Sequence, residues 1–258
     1  MQAENGLRPQ ALHVATFNIH KGFSQLNRRL MVHELREQLR ALAPDIVFLQ
    51  EVQGLHRGHA RRHGEWPSQA QSEFLADSVW GHSAYGRNAE YEEGHHGNAI
   101  LSRYPIISAE NEDVSSHRFE RRGLLHCEIA MPGWEQRLHC VCVHLALNER
   151  GRRQQLQALA ARMARLVPPR APLIVAGDFN DWRDTASPVL GQALGLSEVF
   201  RSVHGRPARS FPSGLPVLAL DRIYVRGFTV DVARVLFDRA WSRISDHAAL
   251  SATLMPTR

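Results

Sequence analysis

The sequence predicts an α/β sandwich in which two packed sheets are flanked by helices. Three observations carry this reading. Many short segments are continuously apolar at their centres, as strands covered on both faces are. Two other stretches repeat apolar residues every three or four positions, as helices with one buried face do. No internal repeat or linker-like composition divides the 258 residues, a length that suits one domain. The expected organisation is an N-terminal tail over 1–11 and a single domain over 12–258.

Taken in order, the expected strands are HVATFNIH (13–20), DIVFLQEV (45–52), GNAILSR (97–103), GLLHCEIAM (123–131), RLHCVCVHL (137–145), APLIVAGDFN (171–180), LALDRIYV (218–225), TVDVARVLF (229–237) and AALSATLM (248–255). The first helix is marked by Met31, Leu35, Leu39 and Leu42, and Pro44 stops it just before a strand. Leu156, Leu159, Met163 and Leu166 repeat the pattern and end at Pro168-Pro169. Arg150, Arg152 and Arg153 are read as the solvated side of this second helix. The stretch 53–97 is rich in His, Gly, Glu and Arg. It reads as long loops around one short helix near SQAQSEFLADSVW, and 206–217 reads as a turn-rich loop.

Composition narrows the function classes. Hydrophobic residues make up 43% of the chain, enough for a sizeable core. No apolar run approaches the roughly 20 residues that span a bilayer. The opening MQAENGLRPQ lacks a basic region followed by an apolar one, so a cytoplasmic protein without an integral membrane segment is expected. The three cysteines, Cys127, Cys140 and Cys142, form no C-x-x-C pair and read as small buried hydrophobes. The net charge of +5 is compatible with a phosphate-bearing substrate, and Lys21 is the only lysine. Nothing marks an obligate protein partner.

The segment PLIVAGDFND (172–181) poses the functional question: a buried strand runs into Asp178, Asn180 and Asp181. The same design recurs elsewhere. ATFNIH carries Asn18 near its end, DIVFLQEV carries Glu51, CVCVHL carries His144, LALDRIYV carries Asp221, and RISDHAAL opens a strand with Asp246 and His247. One polar residue at a strand end is an ordinary turn residue or cap. Six such places together read as a site. Carboxylates and an Asn carbonyl are hard oxygen ligands suited to Mg²⁺ or Mn²⁺. Two histidines suit proton transfer or charge stabilisation on phosphate.

In chain order, TFNIHKG, FLQEV, GNAILSR, VHL, GDFND, LDRIYV and SDHAAL resemble the endonuclease/exonuclease/phosphatase superfamily, from about residue 12 to 256. The resemblance implies a four-layer α-β-β-α sandwich of the DNase I type, with mostly antiparallel sheets and the site at one rim. It implies Mg²⁺-dependent hydrolysis of a phosphate ester, with Mn²⁺ as substitute. It further implies Glu51, Asn18 and Asp246 as metal ligands. Asp178 would orient or deprotonate the attacking water, and Asn180 would hold water or phosphate. His247 would stabilise charge on the scissile phosphate, with Asp221 fixing its tautomer. His144 would be a second phosphate contact and leaving-group acid. Asn98, which would shape the rim or touch phosphate, and Arg122 are the expected substrate-binding residues.

Other features weigh less. Adjacent His95 and His96 point apart in an extended chain, so a mobile rim loop is expected there rather than a metal site. Glu92 or Glu93 is a candidate support for His144. Trp134 and Trp182 lie beside turns; Trp182, four residues after Asp178, is read first as packing and second as a neighbour of the site. Lys21 contributes to the local field or faces water. Abasic-site repair endonucleases of the superfamily carry a tyrosine where His144 stands, so this chain is more similar to the DNase I, sphingomyelinase and inositol-phosphatase branches. A calcineurin-like phosphoesterase would need GNH, but Asn98 is followed by Ala99. A non-catalytic phosphate-binding module would have lost site residues, and none is missing. DNA is the expected substrate, with a phospholipid or phosphoinositide head group next.

Overall fold

The computed structural model describes residues 11–117 and 120–257, so residues 1–10 of the expected tail lie outside the described residues. β1 (Leu12–Asn18), α1 (Val32–Leu42) and β2 (Ile46–His56) form a β-α-β unit with parallel strands. α1 buries Val32, Leu35 and Leu39, and Ala43 in the left-handed region ends it. After α2 (Arg57–Arg62) and α3 (Gln71–Ala76), the antiparallel pair β3 (His82–Tyr91) and β4 (Gly94–Ser102) extends the sheet.

The second sheet begins with β5 (Ile106–Asp113), β6 (Gly123–Ile129) and β7 (Leu138–His144). α4 (Glu149–Leu166) then crosses to β8 (Leu173–Asp178), parallel to β7. This is a second β-α-β unit. α5 (Ala186–Leu194), the short β9 (Ser197–Glu198), α6 (Val199–His204) and β10 (Asp221–Arg226) complete that half. β11 (Phe228–Leu236) and β12 (Ala249–Pro256) return to the first sheet.

The result is two six-stranded sheets, ordered β11-β12-β1-β2-β4-β3 and β5-β6-β7-β8-β10-β9. Among the described residues only the β1–β2 and β7–β8 pairings are parallel. One core cluster lies between the sheets and includes Val14, Phe48, Ile100, Leu125, Cys140 and Ile223. A second packs α4 and α5 on the outside of one sheet, and a third packs α1 and α3 on the outside of the other. The expected four-layer α/β sandwich is therefore the observed architecture.

All nine expected strands form, within a few residues of their predicted ends. The apolar pattern does not mark β3 and β5, and 94–97 belongs to β4 rather than to a loop. The reason is physical. β3 and β5 each occupy a sheet edge, where half-exposed strands such as HSAYGRNAEY and IISAENED need no apolar run. Arg152 also departs from expectation. It is only 1% exposed, because the first turn of α4 packs on the loop after β8 and draws the side chain inward. Among the described residues no helix is long and apolar enough to cross a membrane.

Candidate active site

The two β-α-β units bring the polar strand ends together. β1 and β2 are parallel, so Asn18 and Glu51 sit at the same end of the first sheet. β7 and β8 are parallel in the second, and His144 pairs in register with Asp178. Antiparallel β10 places Asp221 directly opposite Asp178. Asp246 and His247 lead into β12, beside β1. A cleft of about 340 Å³ opens at this rim, with Asn18, Glu51, His144, Asp178, Asn180 and His247 on its walls.

Local backbone geometry supports the convergence. Gly177 has φ +146°, and a Cβ there would lie 2.0 Å from the Val143 carbonyl oxygen. Only glycine lets β8 approach β7 this closely one residue before Asp178. Glu51 (φ +56°) and Asn180 (φ +49°) are non-glycine residues in the left-handed region. Such strain costs of order 1 kcal/mol and is typical of functional positions. Asp181 serves the structure instead. Its carboxylate accepts from the Ala186 N–H (2.7 Å) and the Thr185 hydroxyl (2.9 Å), tying down the start of α5.

The hydrogen bonds centre on Asp178. Its carboxylate accepts from Asn18 Nδ2 (3.0 Å) and the Asn180 N–H (2.9 Å), and His144 Nε2 lies 3.4 Å away. His247 Nδ1 meets Asp221 Oδ2 at 2.8 Å, while its Nε2 lies 3.8 Å from Asp178. Burial alone would push His247 down. The carboxylates of Asp221, Asp178 and Asp246 overcome it and raise His247 to about 10, so the ring is an imidazolium at neutral pH. Burial raises Asp178 to about 6, aided by the negative Asp221 and opposed by His247. His144 moves the other way. Burial, then the positive Arg122 and His247, hold it well below the ordinary histidine value.

Two groups of side chains offer themselves to a cation. Ligand-type atoms of Asp178, Asp221 and His247 lie within 4.8 Å of one another. There, however, both ring nitrogens face carboxylates and the imidazolium already supplies the positive charge. Glu51 is different. Its carboxylate borders the cleft and, among the described residues, meets only Lys21 Nζ at 4.0 Å. With Asn18 and Asp246 on the same walls, the donor set is hard oxygen, which fits Mg²⁺ or Mn²⁺ and not a soft metal.

The family model described as Endonuclease/Exonuclease/phosphatase family matches residues 15–247, nearly the whole chain. The chain belongs to the Endonuclease/Exonuclease/phosphatase family. A relative from Escherichia coli (strain K12), the uncharacterized protein YbhP, is 50% identical over 241 residues, covering 93% of this chain and 95% of its own length. The fold is similar to that of a family member from Beutenbergia cavernae, with TM-score 0.75 at 20% identity, covering 96% of this chain and 72% of that one. It is also similar to D. rerio TDP2 complexed with single strand DNA product, with TM-score 0.69 at 21% identity, covering 95% of this chain and 99% of that one. Membership of the Endonuclease/Exonuclease/phosphatase family supports a phosphoesterase-type activity in general.

Within this family, the cleft gathers Asn18, Glu51, Arg122, His144, Asp178, Asn180, Asp246 and His247, with Asp221 directly behind His247. Asn98 is the exception. It is 1% exposed and is not among the residues that line the cleft, donating instead to the carbonyls of Gly123 (3.0 Å) and Cys142 (3.3 Å) and so tying the two sheets together. Arg122 Nε donates to the Leu145 carbonyl (3.2 Å), and Nη2 pairs with Glu120 (3.2 Å). Neither Glu92 nor Glu93 contacts His144 among the described residues; Glu93 pairs with Arg61 instead. His95 and His96 meet Tyr85 and Tyr91 respectively, each through Nδ1.

Trp134 packs against Phe228, as a structural residue does. Trp182 takes the second of its two readings and stands on the cleft wall. Two neighbours of the site escape a reading of the sequence. His20 contacts Asp246 at 3.1 Å, and the Phe211 ring lies 5.1 Å from that of His247. Phe211 comes from the irregular 206–217 loop, which has no periodicity to reveal it. His20 follows a strand end, and only its adjacency to Asn18 hints at the site.

Proposed function

We propose that this chain hydrolyses phosphodiester bonds with Mg²⁺, or Mn²⁺ in its place, and that DNA is its substrate. The observation that carries the reading is the buried His247 ring, held by Asp221 beside Asp178, in the same cleft as the open Glu51 carboxylate. Hydrolysis of a phosphodiester requires a positioned water, neutralisation of the charge on the non-bridging oxygens and help for the departing oxygen. Residues 12–258 act as one catalytic domain in this reading, since both sheets supply the cleft.

Glu51, Asn18 and Asp246 would hold the divalent ion, which supplies positive charge to the phosphate oxygens. Asp178 receives the proton of the attacking water or orients it, and its burial raises its basicity for that role. Asn180, whose Nδ2 donates to the Leu145 carbonyl (3.0 Å), holds the adjacent loop in place beside water or phosphate. His247 places its cationic ring against the negative charge developing on the phosphate oxygens. Arg122 is a further phosphate contact. His144, whose basicity burial lowers, is a second phosphate contact and the candidate leaving-group acid. Asn98 acts by tying the two sheets together.

A second reading, a phospholipid or phosphoinositide head group, draws on Leu147 and Leu218 of the same cleft, which are 61% and 40% exposed. Three unpaired, buried cysteines fit a reducing compartment such as the cytoplasm. The deciding experiment is nicking of supercoiled plasmid in Mg²⁺, with an EDTA control. Metal-dependent nicking is expected. Absence of nicking by folded protein, with release of phosphorylated head group from phosphatidylinositol vesicles, overturns the DNA assignment.

A further inference from the structure

Trp182 stands on the cleft wall with Asn180 and His144, and 46% of its surface is exposed. Beneath it lies Arg152, only 1% exposed, with its guanidinium carbon 4.9 Å from the indole centroid. Nη1 of Arg152 donates to the carbonyls of Leu147 (2.9 Å) and Ala146 (3.2 Å). Its Nε lies 3.9 Å from Asp181, and neither Nε nor Nη2 has a hydrogen-bond partner among the described residues.

This arrangement is a poor way to build a core. A desolvated arginine with unused donors is costly, and an apolar pair of similar volume would be at least as stable. Trp182 also keeps much of its area in water, where burial would be more favourable. Stability therefore does not account for the pair. A cation under one face of an indole does fix that ring in place, and here the ring borders the cleft next to Asn180 and His144.

We infer that Trp182 is a stacking platform for a nucleobase adjoining the scissile phosphate, and that Arg152 is a positioning residue acting through Trp182. The inference rests on the phosphodiesterase reading of the cleft and adds to it the side of the substrate that is recognised. Stacking on an aromatic ring is tolerant of base identity because every base has a π-face. An acyl chain would need apolar area at this wall but no ring. Aromaticity therefore separates the two classes of substrate.

The test uses dinucleoside phosphodiesters, TpT and its two analogues in which a tetrahydrofuran replaces one base. The readout is the ratio of kcat/KM for TpT to that for each analogue, in wild type, Trp182→Phe, Trp182→Leu and Arg152→Gln. Loss of a stacked base is expected to cost roughly tenfold or more in wild type, for one of the two analogues. Trp182→Phe should keep most of that ratio, Trp182→Leu should bring it near one, and Arg152→Gln should lower it through KM. A Trp182→Leu protein with the wild-type ratio, or one equal to Trp182→Phe, overturns the platform while leaving the phosphodiesterase reading intact. Wild type that cleaves none of the three, nor plasmid, overturns the nuclease reading and the platform with it.

Discussion

Asp178→Asn should make the metal-free protein more stable while abolishing its activity. Burial raises Asp178 from 3.8 to about 6, so above pH 6 the folded state holds a carboxylate that would be better neutral. At about 1.4 kcal/mol per pH unit, the penalty is at most about 3 kcal/mol. Asn has the shape of the protonated acid and carries no charge. The expected gain in a domain of this size is on the order of 5 °C in Tm. The sign follows from proton linkage. With its folded value above its unfolded one, Asp178 binds protons preferentially in the folded state between about pH 4 and 6. The advantage of the variant should be full above pH 6 and fade as the pH falls through that window. The assay is thermal unfolding in EDTA across this range, paired with plasmid nicking in Mg²⁺, where a loss of about 100-fold or more is expected. A variant less stable than wild type at pH 7.5, or one that still nicks plasmid at the wild-type rate, refutes the reasoning.

Three further outcomes follow from the same geometry. His247→Ala should lose activity and also stability, by about 3–5 kcal/mol, because Asp221 and Asp178 would remain buried without their cation; urea midpoints equal to wild type would contradict the ion-pair assignment. Gly177→Ala should destabilise by about 3 kcal/mol or more, since its Cβ would meet the β7 backbone at 2.0 Å; chemical denaturation measures this, and a neutral substitution would show that β8 shifts freely. His126 and His139 stack far from the cleft, and burial lowers both, His126 to about 4. The unfolded chain then binds more protons below pH 6.5, so the pair should remove stability as pH falls toward 4, by up to about 3 kcal/mol from His126. Unfolding midpoints of wild type and His126→Gln should diverge in their pH slopes, and parallel slopes would place the acid sensitivity elsewhere.

Much of the molecule was determined by the sequence alone. Strands such as LIVAGD and LHCVCVH, buried along their whole length, announce themselves as apolar runs. α1 announces itself by its spacing and by Pro44. The polar residues that end these strands stand out because a buried strand has no packing reason to finish in carboxylates. Two edge strands are silent: β3 and β5 have one neighbour each and little need of apolar side chains, whereas β11, also at an edge, keeps the alternating apolar residues that reveal it. Tertiary structure decided what local pattern cannot encode. Asn18 and Asp178 are separated by 160 positions and meet through a hydrogen bond. Asn98, indistinguishable by sequence from a cleft residue, is buried between the two sheets. Arg152 looks like one more charge on a helix that also carries Arg150 and Arg153, yet it lies under Trp182. The charge states divide in the same way. His144 and His247 look alike as residues after or before apolar runs, but one faces Arg122 and the other faces Asp221. The identity of a side chain is local, whereas its field, burial and partners are set by whatever the two sheets bring against it.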